Sequence, residues 1–292
     1  LYAYIYGLTN INKGALFYTD MIGEYLFLYF LAFFAVLFAV FQDVRTREIS
    51  NWLTFSLVAF VLAYRAFYSA YSDDFMFFIY GLIGVVLFVG FGYLFYYSKV
   101  FAGGDAKLLF GIGGIFPYYS FYDYIYYGVG FVVALFTFGV IYTLVYSLFL
   151  VSKNYSSFRK SFFENFYKVK VYFILSLLFA VLFYLFFPFT NFFSSLAFSI
   201  FVFLMPLLFV YVKAVEKSCM IKLVNPSELT EGDWLEQDVV VNGKTIRKNF
   251  AGLSFEQILL LRHHGKKVLV KNGIPFAPSF LLALLFFFYV VF

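Results

Sequence analysis

The chain has 292 residues and a formal net charge of +5, with 64% apolar and only 13% charged residues, about half the charged share of an ordinary soluble domain. A mean hydropathy of +0.88 excludes disorder, and 21 Lys and Arg with 16 Asp and Glu are too few to coat a soluble fold of this length, so a membrane protein is predicted. The single cysteine, Cys219, excludes a disulfide framework, a CxxC redox pair and a multi-cysteine zinc site.

The sequence opens on Leu1 with no evident signal peptide, so a processed or incomplete start is expected. A helix needs about 20 mainly apolar residues to cross a hydrocarbon core of about 30 Å. Such runs recur at roughly 22–42, 52–71, 75–98, 105–122, 125–151, 170–187, 189–212 and 274–292. They predict an all-α polytopic membrane protein with about eight transmembrane helices. The fourth run is interrupted by Gly111, Gly113, Gly114 and Pro117, which predicts a short or kinked helix.

Lys and Arg in short loops stay on the cytoplasmic side. Arg45 and Arg47 follow the first run, Lys99 and Lys107 flank the third connection, and Lys153, Arg159, Lys160, Lys168 and Lys170 fill the fifth. The intervening loops carry only Asp73, Asp74 and Asp123, or no charge. The N-terminus is therefore expected outside, in a multi-pass protein of the cytoplasmic membrane, and the last run carries the C-terminus back out.

Three parts are expected: residues 1–212 as a membrane domain of about seven helices, 213–273 as a small cytoplasmic α+β domain, and 274–292 as the final transmembrane helix. In the polar segment, Asp238 to Ile246 reads as a hairpin turning at Asn242-Gly243. Ser254 and Gln257 form a capping-box pattern, Gly265 is a helix stop, and Val268-Leu269-Val270 is a strand. About 60 residues make a marginal independent fold, so this domain is expected to lean on the membrane part.

Acidic groups at a membrane are costly and ask for an explanation. Asp43, at the inner end of the first run, stands in Gln42-Asp43-Val44-Arg45-Thr46-Arg47-Glu48-Ile49-Ser50-Asn51. Asp105, at the inner start of the fourth, stands in Ala102-Gly103-Gly104-Asp105-Ala106-Lys107. The topology gives them one membrane depth. Two carboxyl groups brought close together share a proton, a state suited to peptide hydrolysis. The ionised member activates water while the protonated one polarises the scissile carbonyl, with no metal or cofactor. Gly103 and Gly104 are expected to permit a tight turn and the approach of an extended substrate. Asp105 at a helix N-terminus should ionise more readily than Asp43 near a helix C-terminus, an ordering that Arg45 and Arg47 oppose. Spacing alone also leaves a second reading, an Asp that serves as interfacial anchor or salt bridge.

At these residues the sequence resembles the type IV prepilin peptidases, polytopic aspartyl proteases that include the archaeal preflagellin peptidases. The family's D-x-x-x-R-x-I-x-N pattern stands here as Asp43, Arg47, Ile49 and Asn51, and its GxGD-type motif with a following Lys as Gly104, Asp105 and Lys107. Ala102 occupies the first glycine position of that motif. The resemblance covers about 25–150, and Gly232-Asp233-Trp234 through Gly273-Ile274-Pro275-Phe276-Ala277-Pro278 looks like the carboxy-terminal extension of some archaeal members. It implies an archaeal aspartic endopeptidase with Asp43 and Asp105 as catalytic pair. It further implies removal of the short basic leader of pilin-like or flagellin-like precursors at the cytoplasmic face, with the lipid bilayer and those precursors as partners and no nucleic acid. With only Cys219, the cysteine-rich zinc segment of many bacterial members is absent, and methylation of the product is not expected.

Other classes fit less well. Presenilin and signal peptide peptidase share a GxGD motif but set their first aspartate in a different local pattern. The alternative from another class is a cation-coupled transporter or channel with the two aspartates as ion ligands, which predicts internal repeats and midplane ionisable groups. A noncatalytic scaffold would make both aspartates replaceable. Arg65, inside the second run, is expected to snorkel or to pair with a neighbour. Asp73-Asp74 reads as a solvated turn, and adjacent His263-His264 cannot offer two metal ligands on one helix face. Gly81, Gly84, Gly90 and Gly92 are expected to permit close helix packing, and the basic stretch around Arg159 and Lys160 to fix topology and then to meet anionic lipid.

Overall fold

The computed structural model describes residues 2–186, 192–241, 243–249, 252–265 and 267–291, leaving aside the side chains of 2–22, 186, 192 and 264. The expected boundary between the sixth and seventh runs, Asn242 of the hairpin turn, and the His264 side chain lie outside the described residues. In chain order come α1 (Tyr2–Thr46), α2 (Asn51–Ser72), α3 (Phe75–Tyr97), α4 (Gly103–Ile112) and α5 (Phe121–Asp123). A π-helical stretch, Tyr124–Val129, leads into α6 (Gly130–Lys153), and α7 (Tyr155–Phe186) and α8 (Phe192–Val215) follow. Then come β1 (Ile221–Val224), β2 (Trp234–Leu235), β3 (Val239–Val241), β4 (Lys244–Ile246), α9 (Phe255–His264), β5 (Val268–Lys271) and α10 (Ala277–Val291).

The protein is mostly helical, and among the described residues six helices are long and apolar enough to cross a membrane. They are Gly23–Thr46, Asn51–Ser72, Phe75–Tyr97, Phe121–Lys153, Tyr155–Leu185 and Phe193–Met220. The expected runs at 105–122 and 274–292 hold only α4, of 10 residues, and α10, of 15 residues. At 1.5 Å per residue these rise about 15 and 22 Å, short of a full core. The basic stretch expected as a loop is instead the first half of α7, with only Asn154 between α6 and α7. Lys and Glu are good helix formers, and Phe158, Phe162 and Phe166 pack in succession along one side of the helix, with ring centroids 5.7 and 6.4 Å apart.

The chain divides into two compact units, Leu1–Thr143 with Pro275–Phe292, and Leu144–Ile274. In the first unit, α4 lies against α2 and α3. The stretch after it, Gly113 to Tyr118, is irregular yet buried. Irregular backbone at membrane depth is tolerated only where protein satisfies its polar groups, and Arg65 does this. Its guanidinium donates from Nε to the Gly114 carbonyl at 2.6 Å, and from its two terminal nitrogens to the Phe77 and Phe116 carbonyls at 2.7 Å each. Arg65 is 0% exposed, and it faces the Phe77 and Tyr25 rings at 4.7 and 5.3 Å. It pairs with neighbours and does not snorkel. Glycine makes the room: a Cβ on Gly81 would fall 2.0 Å from Arg65 Cδ.

Gly84 and Gly113 meet backbone to backbone. A Cβ on Gly84 would sit 2.4 Å from the Gly113 carbonyl oxygen, and one on Gly113 2.5 Å from that of Gly84. Gly92 similarly admits Phe110, whereas Gly90 has nothing within 4 Å and plays no packing part. Carbonyl oxygens cannot swing aside, so Gly84→Ala is expected to cost about 1–3 kcal/mol. Thermal melts in detergent should show that loss, with Gly90→Ala at or above the wild-type midpoint; equal midpoints for both variants would refute it. Between α2 and α3, Asp73 takes a left-handed φ of 55° and the Asp74 carboxylate accepts the Met76 N–H at 3.0 Å, so the expected turn is also a helix cap.

In the second unit α7 and α8 pack as a hairpin, with Phe173 and Phe203 rings 4.9 Å apart and Lys217 paired to Glu164 at 2.8 Å. A three-stranded antiparallel sheet has the order β1-β5-β2, and β3 pairs with β4, Val239 opposite Ile246. Gly243 holds a φ of 79° in that hairpin. Ser254 and Gln257 form the predicted capping box of α9, and Gly265 ends it at a φ of 68°. Leu235, Val241, Ile246, Ile258, Leu261, Val268 and Val270 form the small core.

Candidate active site

Asp43 lies in the last turn of α1. The helix stops there because Arg47 adopts a left-handed φ of 63° and donates its N–H to the Asp43 carbonyl at 2.9 Å. The turn is closed by Gln42, whose Oε1 accepts the Ser50 N–H at 3.0 Å and the Ser50 hydroxyl at 2.9 Å. Ser50 then precedes the first residue of α2, Asn51.

Gly103 and Gly104 form the first turn of α4, and neither has a positive φ. Their role is therefore one of space. A Cβ on Gly104 would sit 3.0 Å from Ile49 Cβ, so the bare backbone lets α4 rest on the turn that follows Asp43, while a Cβ on Gly103 would have ordinary clearance, 3.7 Å to Tyr96. One turn on, Lys107 Nζ donates to Asn51 Oδ1 at 2.7 Å and ties the two motifs together. Its ammonium also lies 5.9 Å from the Phe55 ring.

These contacts bring Asp43 and Asp105 to one place. Both are buried, 7% and 8% exposed, and their carboxyl groups are within electrostatic reach of each other. The charge of Arg47 also acts on Asp43. Asp43 has a further partner that sequence reasoning did not find: its Oδ2 accepts the backbone N–H of Ala277 at 2.9 Å. The available signal was the Pro275 to Pro278 stretch, which marks a helix start on the membrane side assigned to the aspartates. Gln42 was likewise passed over, although its place beside Asp43 made it a neighbour to weigh. Among the described residues no group of three or more His, Cys, Asp or Glu could hold a metal ion. Two buried carboxyl groups that feel each other's charge do not readily ionise together, and a pair in that state can offer a base and an acid to water.

Residues 29–152, which include both aspartates, match the Type IV leader peptidase family. The chain is 32% identical over 85 residues to a preflagellin peptidase of Methanocaldococcus jannaschii, covering 29% of this chain and 36% of that protein. It is 28% identical over 137 residues to one of Methanococcus voltae, covering 44% and 58%. It is 29% identical over 89 residues to one of Methanococcus maripaludis, covering 30% and 38%. The chain thus spans between about a third and three-fifths of the length of these archaeal relatives. No solved structure matches. The matches bear out the resemblance to the prepilin and preflagellin peptidases drawn from the two motifs.

Proposed function

We propose that this protein is a membrane aspartic endopeptidase that removes the short basic leader from flagellin-like or pilin-like precursors. The observation that carries the reading is the pair of buried carboxyl groups, Asp43 and Asp105, held together at two helix ends inside the segment that matches leader peptidases. One carboxylate takes a proton from a water held between them, and the other, protonated, polarises the scissile carbonyl. A tetrahedral gem-diol forms, and its collapse returns a proton to the leaving amine. Gly103, whose Cβ position has ordinary clearance, offers an extended peptide a close approach, and Lys107 and Asn51 hold the α4 start against α2.

In this reading the loop charges set the aspartates at the cytoplasmic face and the N-terminus outside. All eight apolar runs then enter the bilayer, the fourth as α4 continued by the buried stretch 113–118 and the eighth as α10. The test is co-expression in membranes with a flagellin-like and a pilin-like precursor, following leader loss by gel shift and N-terminal sequencing. A new N-terminus just before the precursor's hydrophobic helix is expected, and no cleavage of either precursor counts against the proposal.

Residues 213–273 are proposed as the part that selects among precursors, because the charge pattern begins and ends them on the same membrane face as the aspartates. Deleting them is expected to bring the cleavage rates of different precursors together. Unchanged turnover and selectivity across several precursors would remove that idea.

A further inference from the structure

The geometry points to the start of α10, Phe276 and Ala277, as a positioning element of the catalytic pair, acting on Asp43 through a backbone N–H and on the Asp105 side through an aromatic wedge. This rests on the assignment of Asp43 and Asp105 as the reacting groups. Ala277 is the first residue of α10, so its N–H is one of those that an α-helix leaves without an internal partner. Asp43 Oδ2 accepts it at 2.9 Å in a site where Ala277 is 0% exposed. A hydrogen bond from a fixed backbone amide to a carboxylate restricts the rotation of that carboxyl group and is stronger than one between neutral groups.

The start of α10 is itself held in place. Phe276 packs tilted against Phe101 and edge-on to Phe280, with ring centroids 5.3 and 6.0 Å apart, and Phe280 lies 5.9 Å from Phe101. Gly139 makes space for the wedge, since a Cβ there would fall 2.8 Å from the Phe276 ring. Phe101 is 5% exposed and immediately precedes Ala102, the N-cap of α4. One helix end therefore touches Asp43 directly and braces the entry to Asp105. It lies outside the residues 29–152 that match the leader peptidases, so the aligned segment holds both acids but not the group that orients one of them.

The test uses the full chain in membranes and a synthetic precursor carrying leader and hydrophobic helix. Ala277→Pro removes the Ala277 N–H at a helix position where proline is tolerated, and Phe276→Leu weakens the wedge while keeping the backbone N–H groups of both residues. We expect kcat to fall about tenfold or more for Ala277→Pro and roughly threefold or more for Phe276→Leu, with KM within about twofold of wild type. Tyr289→Ala, at an 86% exposed site near the far end of α10, should leave both constants unchanged. If Ala277→Pro is not recovered folded, Phe276→Leu decides. Wild-type kcat in the folded variants, or a loss confined to KM, overturns the inference. If Asp43→Asn and Asp105→Asn also cleave normally, it is the assignment of the catalytic pair that fails.

Discussion

Membranes carrying Asp43→Asn or Asp105→Asn are expected to leave precursor uncut, with rates at least about a thousandfold below wild type, in the range lost when a general acid or base is removed. Asparagine nearly matches aspartate in shape, and at position 43 its carbonyl oxygen can still accept the Ala277 N–H that now meets Asp43 Oδ2. Folding should therefore survive, and a melt in detergent within a few degrees of wild type checks it. The two single variants and the double variant should be equally inactive, because each carboxyl group is useless without the other. Cleavage at the wild-type rate by either folded single variant would refute the two-aspartate mechanism, and equal loss with unaltered folding would separate it from a structural anchor.

Replacing Arg65 should have the largest effect on stability. Arg65→Met takes the guanidinium donors from the carbonyls of Phe77, Gly114 and Phe116 in an apolar surrounding, where a carbonyl left unpaired costs about 1–3 kcal/mol; Phe116 keeps the Tyr118 N–H at 3.1 Å, and Phe77 keeps its place in the ladder of α3. Removing a buried charge returns some desolvation energy, but the loss of three charge-assisted bonds outweighs it when no water reaches the carbonyls. Several kcal/mol is a large part of the roughly 5–15 kcal/mol that holds a domain folded. A midpoint at least 10 °C lower, or failure to accumulate in membranes, is expected, taking roughly 2–8 °C per kcal/mol. Arg65→Lys keeps the charge but not the planar fork that reaches three acceptors, and should fall between. A midpoint for Arg65→Met within about 2 °C of wild type would mean that the carbonyls find other partners.

Much of this was legible in the sequence, and the rest was hidden for physical reasons. Hydropathy reports length and apolarity well, so six of the eight predicted runs became long apolar helices. Hydropathy alone is blind to where a glycine-rich run stops being helical, but Gly111, Gly113, Gly114 and Pro117 marked the fourth run as short or kinked, and α4 ends at Ile112. Two glycines of the third helix look alike on paper, yet Gly84 meets the Gly113 backbone and Gly90 meets nothing, because spacing does not reveal which face a neighbour takes. Arg65 could be flagged as costly but not explained, since two of its acceptors lie 49 and 51 residues further along the chain. The motifs around Asp43 and Asp105 were readable because Arg47, Ile49, Asn51 and Lys107 carry a local pattern. The donor from Ala277 was not, because the Pro275 to Pro278 stretch marks a helix start but not which side chain its free N–H groups meet.

The bond between Asp43 and Ala277 joins residues 234 apart in the chain. At a synthesis rate of about 5–20 residues per second, Asp43 is made roughly 12–47 s before its partner. Once Asp105 is added, 62 residues into that interval, the growing chain holds both acids while the amide that meets Asp43 is still missing. Maturation of the site is thus tied to the synthesis of residue 277, and a ribosome stalled before it would yield a chain that holds both aspartates without this donor.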